Sequence, residues 1–374
     1  MSKQYNTRKK QNSSRWVNIS IAILCVVIIL VFVIVLITKT GVEEIQQTST
    51  SASTDAATTT STTTMEITTE SPSLLTYPTD AEDLFTLTEN NITSEYAILL
   101  NVEDNTVMAS RNADEIIYPA SMTKIMTLLV AAENIEDMDD TFTMTYEIIA
   151  PLVEMDASRA GFSEGETVTL WDLMYGIALP SGADASVAIA TYVSGSEEAF
   201  VELMNEKAEE LGLENTHFVN TSGLHDEDHY STVTDIALLM TAVMENDICQ
   251  EVLSTYQYTT TATDEHPDGI VLESTMFTRM SGDEVEGITI EAGKTGYTDA
   301  SGHCLVSYAT DEEGNGYVAV VANSTTYWNS VYDTFAIYGL ICDGYEMPTD
   351  LASSTSGGES ITDETTYTET TTTY

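Results

Sequence analysis

Two stretches of this chain are made almost wholly of small polar residues, and they dictate where a core can form. Residues 39–84 include a run from Thr48 to Thr64 that is nearly all Ser, Thr and Ala, and residues 347–374 repeat this Thr-rich composition. Such segments cannot bury enough apolar surface to offset the entropy lost on ordering. Both are expected to be disordered, the first as a spacer and the second as a tail. The folded domain is therefore expected within residues 85–346, a length that suits one large domain.

Ahead of the spacer, Ile19–Ile37 is apolar apart from Ser20 and carries no charge. As a helix this run reaches about 28 Å, close to the thickness of a bilayer core. Residues 1–16 hold the basic cluster Arg8, Lys9, Lys10 and Arg15, which belongs on the cytoplasmic side. The expectation is a cytoplasmic segment over 1–16 and a transmembrane signal-anchor helix over 17–38, with everything later outside the cytoplasm. A cleaved signal peptide is the competing reading. Its apolar run would be shorter and end in small residues, whereas this one ends in Leu36-Ile37-Thr38-Lys39.

Charge is partitioned as sharply as hydropathy. The first forty residues contain no Asp or Glu, and the rest of the chain sets 60 acidic residues against 6 basic ones. A surface so negative repels nucleic acid, because the phosphate-neutralising term is missing. It suits solubility in a salty or cation-rich exterior better than a specific cation site. Cys25 lies in the apolar run. Cys249, Cys304 and Cys342 show no C-x-x-C spacing, so neither zinc nor a disulfide framework is indicated. Buried thiols are the default, and one bridge among the three stays open.

The domain reads as strands at both ends and helices between. Tyr96–Leu100 and Thr106–Ala109 flank the turn Glu103-Asp104-Asn105, a hairpin signal. Ser121–Ala132 has helical periodicity at Met122, Ile125, Met126, Leu129 and Val130. Ser196 caps a helix that stops near Gly212, and Asp235–Met244 forms another. Trp171–Tyr192 is helical apart from a Pro-Ser-Gly turn. Strands return at Ile288–Ile290, His303–Thr310 and Tyr317–Asn323, and a last helix near Val331–Leu340 packs on the sheet. The fold class is α/β in the α+β sense: an antiparallel sheet formed from both chain ends, with a helical subdomain beside it.

Three short motifs carry candidate chemistry. In Ser121-Met122-Thr123-Lys124, a helix beginning at Ser121 puts the lysine amine in reach of the serine hydroxyl. A lysine serves as base for a serine only when burial or another cation lowers its pKa. Taken alone, this pattern is equally a capping serine beside a surface lysine. In Leu179-Pro180-Ser181-Gly182-Ala183-Asp184 the turn either pushes the Ser181 hydroxyl into a cleft or simply joins two helices. Gly293-Lys294-Thr295-Gly296-Tyr297 follows a strand, where exposed backbone can pair with an extended peptide. Lys124 and Lys294 are two of the six basic residues beyond the anchor.

The three motifs in this order resemble those of the penicillin-binding protein and serine β-lactamase superfamily. Tyr118-Pro119-Ala120 before Ser121, Asn215–Asn220 with Ser222-Gly223-Leu224, and His229-Tyr230-Ser231-Thr232 with Asp235 narrow it. They look like the low-molecular-mass D-alanyl-D-alanine carboxypeptidases of peptidase family S11. The resemblance implies a β-lactamase/transpeptidase-like fold and removal of the terminal D-alanine from peptidoglycan stem pentapeptides, with β-lactams as inhibitors. Ser121 would be the nucleophile, Lys124 the general base and Ser181 the proton relay. The N–H groups of Ser121 and Tyr297 would form the oxyanion hole. Lys294 and Thr295, with Gly296 beside them, would bind the terminal carboxylate. No metal or organic cofactor is implied. The setting would be the outer side of a bacterial cell membrane with a Gram-positive type of wall; no oligomeric state follows.

Two departures weigh against full activity. Ala183 stands where the family usually has Asn, a loss of about 1–3 kcal/mol if one polar contact goes. No Lys or Arg follows Lys294, whereas the family usually has an arginine after the last core strand; the matching region here is Ser324–Asn329. Carboxylate binding is thus expected to rest on Lys294 and Thr295 alone. The rival readings are a weak or inactive protein that binds penicillin or stem peptides, and a β-lactamase. A zinc peptidase built on His225-Asp226-Glu227-Asp228-His229 is disfavoured, since the Glu is not next to the first His and no amphipathic helix carries the pair.

Overall fold

The computed structural model describes residues 76–280, 285–342, 344–347 and 349. The expected segments 1–16 and 17–38, with Cys25, the spacer up to residue 75 and the tail beyond 349 lie outside the described residues. Among the described residues no helix is long and apolar enough to cross a membrane.

The described chain enters through strands β1 (Thr79–Thr86), β2 (Tyr96–Asn101) and β3 (Thr106–Arg111). A helical region follows: α1 (Lys124–Asn134), α2 (Tyr146–Glu154), α3 (Leu170–Ala178), α4 (Ala183–Ser194), α5 (Glu197–Leu211), α6 (Val233–Met244) and α7 (Asp247–Leu253). Two short pairs brace it, β4 (Thr141–Thr143) with β5 (Thr167–Thr169), and β6 (Gln257–Thr259) with β7 (Val271–Glu273). A single turn, α8 (Phe277–Met280), leads to β8 (Ile288–Thr298), β9 (Gly302–Asp311), β10 (Gly316–Ser324) and the closing helix α9 (Tyr327–Gly339).

The main sheet has the order β1-β3-β2-β10-β9-β8. Antiparallel pairing of β10 with β2 joins the two ends of the domain, as the strand pattern predicts. The central strands are apolar on both faces because both faces are covered. Ile98 and Leu100 join Val318 and Val320 in a core shared with α1 and α3–α7. The alternate residues Ala97, Leu99, Ala319 and Val321 pack with Val331, Ile337 and Tyr338 of α9. Each fully buried Val, Ile or Leu contributes about 1.5–3 kcal/mol, so these runs fix the register.

Two local expectations change. Folded structure begins before residue 85: β1 pairs with β3 at the edge of the sheet, and the pairing is parallel. Its sequence, Thr-Asp-Ala-Glu-Asp-Leu-Phe-Thr, has too little hydrophobicity to read as a strand. Backbone pairing holds it, helped by Asn105 Nδ2 donating to Thr76 O at 2.7 Å. An acidic edge strand also discourages pairing with other chains. The last helix starts at Tyr327, not Val331, because the Thr326 hydroxyl accepts from Asn329 N and caps it.

Candidate active site

Ser121 does not begin an α-helix. It lies in a 3-10 turn, Ala120–Thr123, and the α-helix proper starts at Lys124. Ala120 adopts φ 48°, a left-handed backbone that breaks the helix just ahead of the serine. The tighter turn still brings the two groups together, with Lys124 Nζ donating to Ser121 Oγ at 3.2 Å.

The surroundings hold that pair. Lys124 is 1% exposed and donates to the carbonyl of Ser222 at 2.6 Å. One turn on, Thr127 Oγ1 donates to the carbonyl of Thr221 at 2.7 Å, and Glu197 accepts from Thr221 N and Oγ1. Burial pulls the Lys124 ammonium down to about 7, against the raising influence of Asp184 and Glu197. Gly223 must be glycine: a Cβ there would lie 1.8 Å from the carbonyl oxygen of Ala120, at φ +79°. On the other side β8 runs against the turn, since a Cβ on Gly296 would come within 3.1 Å of Ser121 N. Thr123 Oγ1 meets His229 Nε2 at 2.7 Å, while His225 packs edge-on against Tyr118. The two histidines of the His225–His229 segment thus serve separate partners.

Ser181 sits where α3 breaks into α4. Its φ of 65° is unusual for a residue with a Cβ, and such strain gathers at functional sites. Ser158 Oγ donates to the Ser181 carbonyl at 2.6 Å, and the Asp184 carboxylate accepts from the N–H groups of Ala160 and Gly161. The Ser181 hydroxyl itself is buried and has no hydrogen-bond partner among the described residues.

These elements enclose a cleft of about 390 Å³ lined by Ser121, Lys124, Ser181, Ala183, Thr295 and Tyr297, among others. Gly296 lines it too. Lys294 does not. Its ammonium is buried and donates to the carbonyl of Thr295 at 2.9 Å. Burial lowers its pKa well below the usual lysine value, and Lys124 and Arg279 push it the same way. Of the two residues expected to bind the carboxylate, Thr295 lines the cleft and Lys294 is held on the Thr295 carbonyl. Arg279 of α8 lines the cleft as well, together with Lys124 and Thr295. Arg279 belongs to no motif. Its only signal in the sequence is rarity, as one of six basic residues after residue 40. Cys249 and Cys304 are buried free thiols.

A family model described as D-alanyl-D-alanine carboxypeptidase matches residues 83–326. The D-alanyl-D-alanine carboxypeptidase DacF of Bacillus subtilis is 34% identical over 231 residues, covering 62% of this chain and 57% of that protein. The D-alanyl-D-alanine carboxypeptidase DacA of Haemophilus influenzae is 29% identical over 262 residues, covering 68% and 63%. The chain thus spans about three-fifths of the length of these relatives. The crystal structure of the Streptomyces K15 DD-transpeptidase superposes with a TM-score of 0.61 at 27% identity, covering 68% of this chain and 100% of that one. The sheet, the helical region and the Ser121 cleft therefore have a common ancestry with these enzymes: the chain belongs to peptidase family S11, the D-alanyl-D-alanine carboxypeptidases.

Proposed function

We propose that this protein is a serine-type D-alanyl-D-alanine carboxypeptidase acting on peptidoglycan stem peptides and acylated by β-lactams. The observation that carries this reading is the 3.2 Å contact between Ser121 Oγ and the buried Lys124 amine. An amine with a pKa near 7 is partly neutral at physiological pH and can take the serine proton. Ser121 Oγ then bonds to the carbonyl carbon of the penultimate D-alanine. The oxyanion is received by N–H groups where β8 meets the Ser121 turn, those of Ser121 and Tyr297. The C–N bond breaks, and the leaving amine of the terminal D-alanine takes a proton through Ser181. Water then hydrolyses the ester and restores the Ser121 hydroxyl. Thr295 and Gly296 line the side of the cleft that receives the substrate's end. An anchor over 17–38 would hold the enzyme at the outer face of the membrane.

A second reading has its own support. The unpartnered Ser181 hydroxyl and the Ala183 methyl group fit a protein that is acylated but turns over poorly. One experiment separates the two. The full chain, extracted from membranes, is incubated with a pentapeptide ending in D-Ala-D-Ala, and free D-alanine is measured. Release by the parent and none by Ser121→Ala is the expected result. A covalent penicillin adduct without D-alanine release supports the second reading. Equal release by both proteins removes Ser121 from the mechanism. Intact mass of the extracted protein reports whether residues 1–38 are retained.

A further inference from the structure

The domain has few cations, and the structure accounts for nearly all of them. Arg111 donates to the carbonyls of Ile92 and Ser94. Lys207 pairs with Glu133 and Glu210. Lys124 donates to Ser121 Oγ and the Ser222 carbonyl, and Lys294 to the Thr295 carbonyl. Arg159 is exposed beside Asp184. Arg279 differs from all five. It is half-buried and lines the catalytic cleft, and among the described residues no carboxylate or carbonyl accepts from its guanidinium.

The guanidinium is nevertheless held. Its Cζ lies 4.9 Å from the centroid of the Tyr327 ring, and Tyr327 neighbours His303, which stacks on Tyr297 at 4.4 Å. A cation over a ring uses its face and leaves its edge N–H fork free. That fork matches a carboxylate in two parallel hydrogen bonds. A half-buried guanidinium without an acceptor, in a cleft of a strongly acidic domain, is a site suited to an anion.

We propose that Arg279 binds the C-terminal carboxylate of the substrate, with Tyr327 as the residue that positions it. The assignment rests on the carboxypeptidase reading. It places the anion between Arg279 and Thr295, which line the cleft from α8 and β8. The two elements are tied together there: Thr275, just ahead of α8, meets Thr295 Oγ1 through its own hydroxyl at 2.8 Å. Tyr327 opens α9 just after β10, in the region where the chain carries no basic residue of its own. Its ring holds in place an arginine that α8, and no recognised motif, delivers.

The test compares two pentapeptides on the full chain, one ending in D-Ala-D-Ala with a free carboxylate and one with that carboxylate as a carboxamide. The parent is expected to prefer the free acid. Arg279→Gln is expected to narrow that preference by about 10- to 100-fold, the worth of a charged hydrogen bond. Arg279→Lys keeps part of it. Tyr327→Phe preserves the preference and Tyr327→Leu weakens it. An unchanged preference in Arg279→Gln, or an equal fall on both peptides, overturns the assignment. Thermal midpoints of Arg279→Gln and Arg279→Lys separate misfolding from lost recognition. If the parent cleaves neither peptide, the carboxypeptidase reading fails by itself. Calorimetric binding of the two peptides then judges Arg279, and equal affinity of the parent for both overturns it.

Discussion

Ser121 and Ser181 both line the cleft, and their surroundings differ in kind. Ser121 is met by an amine at 3.2 Å, and that amine is held by the Ser222 carbonyl at 2.6 Å. Ser181 sits on a strained backbone with a buried hydroxyl that meets no partner among the described residues. Both follow a break in helical geometry, at Ala120 and at the 179–182 turn. The difference is that the Ser121–Lys124 pair is assembled by the fold alone, whereas no described group meets the Ser181 hydroxyl. In the proposed mechanism, pre-organisation is placed where the reaction starts.

Removing the base should break the assembled side most severely. Lys124→Met is expected to lower the rate of penicillin acylation by about 10²–10⁴-fold, the usual contribution of a general base. A change under tenfold would show that Lys124 does not take the proton. Next in size is Gly223→Ala, which drives a Cβ to 1.8 Å from the Ala120 carbonyl. It should destabilise the domain by about 3 kcal/mol or more, read as a lower denaturation midpoint. An unchanged midpoint would mean that the 120–123 turn yields easily.

The unassembled side should respond differently. Ser181→Ala is expected to slow D-alanine release by about 10²-fold while leaving the denaturation midpoint nearly unchanged, because the hydroxyl has no hydrogen bond to lose. A large loss of stability would mean that Ser181 has a structural partner. The smallest effect is in pH. Lys124 acts as a base only when neutral, and its pKa is about 7, so acylation should rise as pH increases through 7 and then level. At one unit below 7 the rate should be about tenfold under the plateau. A profile flat from pH 5 to 9 in the parent would detach the rate from this lysine.

Most of the sheet was legible because it is buried on both faces. Tyr96–Leu100 and Tyr317–Asn323 are largely apolar runs, and their pairing follows from the closure of the domain. β1 was not legible, since its side chains are mostly acidic or polar and exposed and its backbone does the pairing. The order of Ser121, Lys124, Ser181, Lys294 and Thr295 pointed to one cleft. The cleft was not fully legible, because Lys294 donates to the Thr295 carbonyl and the half-buried Arg279, which belongs to no motif, lines the cleft.

The sequence by itself determined the local geometry. A lysine three residues after a serine can reach its hydroxyl in either a 3-10 or an α turn, and strands that are apolar throughout must be covered on both sides. Tertiary structure decided the electrostatics. Whether Lys124 is a base depends on groups far along the chain: burial beside Ser222 lowers its pKa, and the charges of Asp184 and Glu197 oppose that shift. Whether Arg279 or Lys294 meets an anion depends on which of them the packing leaves at the cleft wall. Connectivity fixes neighbours within a turn, but solvation is set by all the segments that surround a charge, and those meet only in the folded state.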